Sequence, residues 1–253
     1  MAMTTPRPAT ILREAFIPGD PVSLDEAAAR LDGNRRAASK ALTYLAKKRY
    51  FERVRQRLWV RTGTAPNPYR LGARVTSPYA FVYGSALALH GAGTAERSEV
   101  LVASPHRFEP FEYDGVLYRL ALPWRDDALV KVSVGPEFVW TTTPERTLVD
   151  CIRVSSNAGG MVELLRGASA LPRLDGAQLL RWVDHYSEAN LAARLGFVVE
   201  STEHDRDETL LRELERRRPQ ARVYLEPGTR GGKLSGRWNV IVPAHLRPAR
   251  EAA

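Results

Sequence analysis

The stretch SLDEAAARLDGNRRAASKALTYLAKK, residues 23–48, decides how the amino-terminal part of the chain folds. Ser23 with Glu26 after it is a capping box: the hydroxyl accepts from a backbone amide of the first turn and the carboxylate reaches back, so a helix runs from Leu24 to Leu31. Asp32-Gly33-Asn34 supplies turn chemistry, because Gly and Asn tolerate positive φ, and Asn34 caps a longer helix from Arg35 to about Arg49. In that helix Ala38, Leu42 and Leu45 recur at helical spacing and form an apolar stripe, while Arg36, Lys40, Thr43 and Lys47 recur on another face.

Upstream, Ala9 to Phe16 reads as a first helix with apolar Ile11, Leu12 and Ala15, ended by Pro18-Gly19-Asp20-Pro21. Downstream, Tyr50–Val54 and Leu58–Arg61 read as short strands around Arg55-Gln56-Arg57, with Trp59 and Val60 packing back on the helices. Helix, tight turn, longer helix and a basic-tipped hairpin together resemble the winged helix-turn-helix family, whose third helix enters the major groove while the hairpin lies along the backbone or minor groove. The resemblance implies DNA contacts from Arg35, Arg36, Ser39, Lys40, Thr43 and Lys47 on the helix and from Arg53, Arg55 and Arg57 on the hairpin. Arg36 and Lys40 can reach guanine O6 and N7, Ser39 and Thr43 suit bases or phosphate, and the hairpin arginines suit phosphate. The alternative is a winged helix that docks protein instead of DNA.

Charge favours DNA. The chain carries a formal +8, and residues 1–70 hold 14 Lys and Arg against 6 Asp and Glu, while residues 71–253 hold 23 against 23. The whole excess lies in the segment with the helix-turn-helix pattern, where a positive potential draws polyanions. A basic surface with no partner is the competing reading of the charge alone.

At 253 residues, with 44 % hydrophobic and 26 % charged residues, the chain has the size of two globular domains and an ordinary composition that argues against disorder or a fibrous architecture. Its single cysteine, Cys151, has no intramolecular partner and sits in an apolar helical pattern, as a small core residue does. Met1–Thr10 has no apolar run of an export signal, and no window approaches about 18 consecutive apolar residues, so no membrane partner and a cytoplasmic location are expected.

Thr62–Pro78, rich in Gly, Pro, Asn and Thr, is expected to exclude regular helix and to place a domain boundary near residue 72: a DNA-binding domain over 1–72 and an α+β domain over 73–253. There Tyr79–Leu89 reads as an apolar helix, and Glu99–Ala103, Gly115–Leu122 and Leu129–Val134 as strands. Helices follow over Glu145–Ile152, Gly160–Gly167, Ala177–Tyr186, Glu188–Leu195 and Asp205–Arg218. Arg222–Leu225 and Arg237–Val242, separated by Gly228, Gly231, Gly232 and Gly236, read as a β-hairpin whose loop offers Arg230, Lys233 and Arg237 to a nucleic acid or an acidic partner.

Three stretches of this second part carry a resemblance: residues 81–91 (FVYGSALALHG), 142–150 (TTPERTLVD) and 194–200 (RLGFVVE). Together they resemble the AbiEi-type antitoxin family, in which a winged helix precedes such a domain. The resemblance implies an antitoxin and repressor that binds operator repeats upstream of its own operon, as a dimer or as paired monomers, and counters a cognate nucleotidyltransferase toxin. The alternative is a winged-helix transcription factor whose second domain senses a small ligand. Thr143-Pro144-Glu145 also has a purely structural explanation as a helix start, with Pro in the first turn and an acid at the positive end of the dipole.

No catalytic step is expected. Gly84-Ser85 before a strand at Glu99-Val100-Leu101 brings a nucleotidyltransferase to mind, but Leu101 stands where a second metal-binding carboxylate belongs. His90, His106, His185, His204 and His245 lack the paired spacing of a zinc site, and neither a nucleophile elbow nor a phosphate loop is present. No metal and no cofactor are therefore expected.

Overall fold

The computed structural model describes residues 6–93, 98–202 and 207–246. The chain is mixed α+β. It begins α1 (Pro8–Ala15), β1 (Pro21–Ser23), α2 (Leu24–Ala29), α3 (Arg35–Lys47), β2 (Phe51–Arg55), β3 (Leu58–Arg61) and α4 (Pro68–Gly72). It continues β4 (Ala80–Phe81), α5 (Tyr83–Leu89), β5 (Glu99–Ala103), β6 (Phe111–Tyr113), β7 (Val116–Leu120), β8 (Leu129–Val134) and β9 (Glu137–Thr142). It ends α6 (Pro144–Arg153), α7 (Met161–Ala168), α8 (Gly176–Tyr186), α9 (Leu191–Ser201), α10 (Glu208–Arg217), β10 (Val223–Tyr224), β11 (Lys233–Ser235) and β12 (Val240–Val242), with short 3-10 turns after α6 and β12.

Two compact units form, and neither follows the single cut near residue 72 that the linker composition suggested. The first takes Met1–Tyr79, Ser98–Trp124 and Ser133–Val139, and the second Ala80–Arg97, Arg125–Val132 and Trp140–Ala253. Composition marks where local order changes; it carries no information on strands that return to an earlier unit.

In the first unit the capping box forms as read: Glu26 N donates to Ser23 Oγ at 3.2 Å and Ser23 N to Glu26 Oε2 at 2.9 Å. Asn34 Oδ1 accepts from Ala37 N at 2.9 Å and starts α3. Gly33, at φ 80°, takes the left-handed turn that joins the two helices. Ala38, Leu42 and Leu45 pack with Leu12 of α1, Val22 of β1, Ala27 and Ala28 of α2, and Phe51 and Trp59 of the following strands. Each fully buried leucine here contributes about 1.5–3 kcal/mol of apolar burial. The strands close a sheet in the order β1-β3-β2, antiparallel throughout, with Val22 opposite Trp59. The register shifts between Arg53 and Arg55, a bulge that leaves Val54 as an extra residue.

Pro68 does not exclude helix: it opens α4, whose amides at Tyr69 and Arg70 are capped by Asn67 Oδ1, because the first turn of a helix does not need the missing N–H. Arg70 and Arg74, on and just beyond α4, converge on Glu137. Arg74 Nη1 meets Glu137 Oε2 at 2.8 Å, Arg70 also pairs with it, and Asp20 and Glu26 complete the network. In the same unit β5 pairs in parallel with β7, which pairs antiparallel with β6.

In the second unit Phe81 of β4 pairs in parallel with Thr141 of β9. Helix α9 is buried on nearly every side, from Leu191 to Val199, as a helix apolar all round must be. It extends to Ser201, past the expected end at Leu195, because Gly196 lies against the fully buried Trp238 and does not stop the helix. The expected carboxy-terminal hairpin is replaced. β10 runs parallel to β12, and the antiparallel partner of β12 is β11, inside the glycine-rich stretch. Parallel neighbours need a crossover, so Val223–Tyr224 and Val240–Val242 cannot be the two arms of one turn. Of the expected Asp205–Arg218 helix, Asp205 lies outside the described residues, as does His204; the described part begins at Glu208, capped by Asp207.

Candidate nucleic-acid interface

Helix α3 separates its residues as its spacing dictates. Ala38, Ala41, Leu42 and Leu45 are buried, while Arg36, Lys40, Thr43 and Lys47 are exposed and span about 60° of arc at 100° per residue. Among the described residues Arg36, Lys40 and Lys47 make no ion pair, so none of those residues neutralises this stripe. Thr43 Oγ1 donates to the Ser39 carbonyl at 2.8 Å. With its proton so used, Thr43 offers lone pairs, which suit the amino groups of cytosine or adenine and not a phosphate. Ser39 is half-buried at the edge of the stripe.

Arg35 and Arg57 share one acid: Asp25 Oδ1 meets Arg35 Nη2 at 2.8 Å and Asp25 Oδ2 meets Arg57 Nη2 at 3.3 Å, with all three side chains more than half exposed. Exposed pairs of this kind contribute little and exchange readily for another anion. Asp25 thus ties the tip of the hairpin, where Arg57 takes φ 63°, to the amino-terminal end of α3. Arg53 stays exposed, its Nε 3.4 Å from the Arg55 carbonyl.

Arg55 lies elsewhere. Its guanidinium sits 5.0 Å from the centre of the Phe111 ring and 5.6 Å from that of Phe108, within the first unit. Burial lowers its pKa, and its Nη1 has no hydrogen-bond partner among the described residues. The bulge is the reason: one extra residue between Arg53 and Arg55 breaks the alternation that would have sent both side chains to the same face. Of the sequence-derived residues, α3 carries Arg35, Arg36, Ser39, Lys40, Thr43 and Lys47, Asp25 joins Arg57 to their amino-terminal end, Arg53 stands exposed on the hairpin, and Arg55 lies apart.

Sequence spacing passed over the flank of α3 that faces α1. A groove of about 800 Å³ opens there, lined by Arg7, Arg13, Lys40, Tyr44, Lys48 and Tyr50 beside small residues. The signal was an exposed aromatic, Tyr44, among lysines at helical spacing. A second recess of about 460 Å³ holds Asp20, Glu26, Arg70, Arg74 and Glu137, whose charges are paired with one another.

The second unit holds a buried polar cluster on the 142–150 stretch. Asp150, which burial pushes above the usual carboxylate range, accepts from the Tyr186 hydroxyl and from Arg146 Nε at 3.4 Å. Thr143 caps α6, and the Thr142 and Thr147 hydroxyls bond at 2.6 Å. Gly84 and Ser85 lie in the first turn of α5 and are buried. His90 Nε2 bonds the Thr142 carbonyl at 2.7 Å, and Arg237 pairs with Glu200, Glu208 and Glu215, which takes it from the set of loop cations expected to meet a partner. Among the described residues no group of His, Cys, Asp and Glu could hold a metal ion, and no helix is long and apolar enough to cross a membrane.

No protein-family model and no curated protein sequence matches the chain. In fold the chain is similar to the crystal structure of the RV2827C protein from Mycobacterium tuberculosis, with a TM-score of 0.66 at 15 % identity, over 93 % of this chain and 90 % of that one.

Proposed function

We propose that the protein binds double-stranded DNA through α3, with the amino-terminal helices and the β2–β3 hairpin acting as a winged helix-turn-helix. One observation carries the reading: Arg36, Lys40 and Lys47 stand on one exposed face of α3 with no ion pair among the described residues, and Thr43 stands between them as an acceptor. A helix about 10–12 Å across fills a major groove about 12 Å wide, so such a face meets base edges while the flanks meet phosphate. Fluorescence anisotropy on duplexes from the region upstream of the gene tests it. Replacing Arg36 or Lys40 with Ala weakens the preferred duplex by about 1–3 kcal/mol for each base-reading contact, and unchanged affinity in both variants would remove α3 from the groove.

On the resemblance of its three motifs, we propose further that the duplex is the operator of its own operon, that the protein acts as an antitoxin and repressor, and that it counters a nucleotidyltransferase toxin without a catalytic step of its own. Those motifs supply helix caps, a buried acid and a close helix contact in the second unit, so their residues support its fold and a toxin-facing surface lies outside them. Co-expression of the full chain with the neighbouring gene tests this reading, scored as growth. A neighbouring gene that is harmless alone would end it.

A further inference from the structure

We infer that the groove between α1 and α3 is a second phosphate track, which grips the DNA strand opposite the one that the hairpin meets; this rests on the DNA reading above. A helix that fills the major groove has a phosphate strand along each flank. One flank of α3 is joined through Asp25 to Arg57 at the hairpin tip, by way of Arg35. Tyr44, nine residues beyond Arg35, lies about 180° round the helix at 100° per residue, so the α1 flank is the opposite one.

Cations dominate that flank. Among the described residues Arg7, Arg13, Lys40 and Lys48 line the groove and no carboxylate does; the one acid near them, Glu14, meets Arg13 Nη2 at 3.9 Å with both side chains largely exposed, a loose pair that gives way to phosphate, whereas the neighbouring recess of the same unit carries Asp20, Glu26 and Glu137 against its arginines. Tyr44 and Tyr50 are 53 % and 38 % exposed, and cations lie against both rings: Lys48 Nζ 6.0 Å from the centre of Tyr44, and the Arg13 guanidinium 5.6 Å from that of Tyr50. A cation already held over a ring loses little freedom when it meets phosphate, and the tyrosine hydroxyls add donors. Lys40 lines both the groove and the outward stripe, which makes the track continuous with the base-reading face. A phosphodiester strand running past the helix fits this arrangement better than one compact anion, because the cations come from two helices and the segment before α1.

The test uses the full chain carrying Arg7→Gln, Arg13→Gln and Lys48→Gln together, with stems kept and folding checked by a cooperative melting transition well above the assay temperature, against a labelled duplex of about 30 base pairs at several salt concentrations. Loss of three phosphate contacts lowers the slope of log affinity against log salt by about 2.7, about 0.9 for each, and hydroxyl-radical protection disappears from one strand only. Lys at positions 7 and 13 restores most of the slope. An unchanged slope and footprint, with the unsubstituted chain still bound and still weakened by Arg36→Ala, overturns the track alone. Binding of inorganic phosphate that the triple variant loses while the slope stays would assign the groove to a small anion, and also overturns it. A chain that binds no duplex at all ends the DNA reading, and the track with it.

Discussion

The Arg55 guanidinium stands 5.0 Å from the centre of the Phe111 ring, inside the first unit, although Arg55 ends the strand that leads to the exposed hairpin tip. A side chain so placed holds β2 against the segment around Phe108 and Phe111 and cannot also reach phosphate. Cation–π contacts of this kind are worth about 0.5–2 kcal/mol. Arg55→Ala is therefore expected to lower stability by about 1–2 kcal/mol, through lost packing as much as lost charge, and to leave the salt dependence of DNA binding unchanged. Denaturant melts and a salt titration check both halves. A slope reduced by about 0.9 would return Arg55 to the phosphate contact that its sequence position suggested.

Glu137 gives the first unit a predictable acid response. Burial pushes its carboxyl up, but hydrogen bonds and charge from Arg74 and Arg70 outweigh that and hold it below the usual carboxylate range. A folded pKa below the unfolded one contributes stability that is present above the unfolded value, near pH 4.5, and is lost as the pH falls through the folded value. Glu137→Gln is thus less stable than the parent at neutral pH, and the two converge in acid. Chemical melts between about pH 2 and pH 7 check this, and parallel curves across that range would dissociate Glu137 from the acid response. Asp150, shifted in the opposite direction by burial, works against the trend, so the difference between the two chains is the informative quantity and not the parent's curve alone.

The parts of this fold that sequence made legible are those governed by neighbours within a few residues. Ser23 with Glu26, Gly33, Asn34 and the Ala38-Leu42-Leu45 stripe are local chemistry, and they appear where the residues put them. β6 and β9 were not read: Phe111–Tyr113 is short, and Thr141 at the end of β9 has its partner, Phe81, far earlier in the chain. The parallel pairing of Val223 with Val240 was misread as a hairpin for the same reason: strand direction is a tertiary property. At the candidate site the outward stripe of α3 was legible from its spacing. The bulge at Val54 was not, because no glycine or proline marks it, and with it went the direction of Arg55. The groove was missed because it is made by α1 and α3 together, and neither alone announces Arg13 beside Tyr50.

Gly196 shows how a residue quoted for its resemblance to a family acts through packing. It lies in the middle of α9, where glycine ordinarily costs about 1 kcal/mol relative to alanine, so an unconstrained Gly196→Ala would stabilise the helix. A Cβ at this position would stand 2.1 Å from Cζ3 of Trp238, whose side chain is fully buried and whose Nε1 donates to Glu200 Oε2 at 2.6 Å, one turn further along the same helix. The indole is held at both ends and cannot move aside without breaking that bond. Gly196→Ala is therefore expected to destabilise the protein by about 2 kcal/mol or more, with overpacking overriding the helical gain. Combining it with Trp238→Leu should cost less than the sum of the two single changes, since the smaller side chain makes room for the methyl group. Thermal melts of the two single variants and the double variant measure the coupling. A more stable Gly196→Ala, or strictly additive effects, would show that the helix and the indole do not constrain each other.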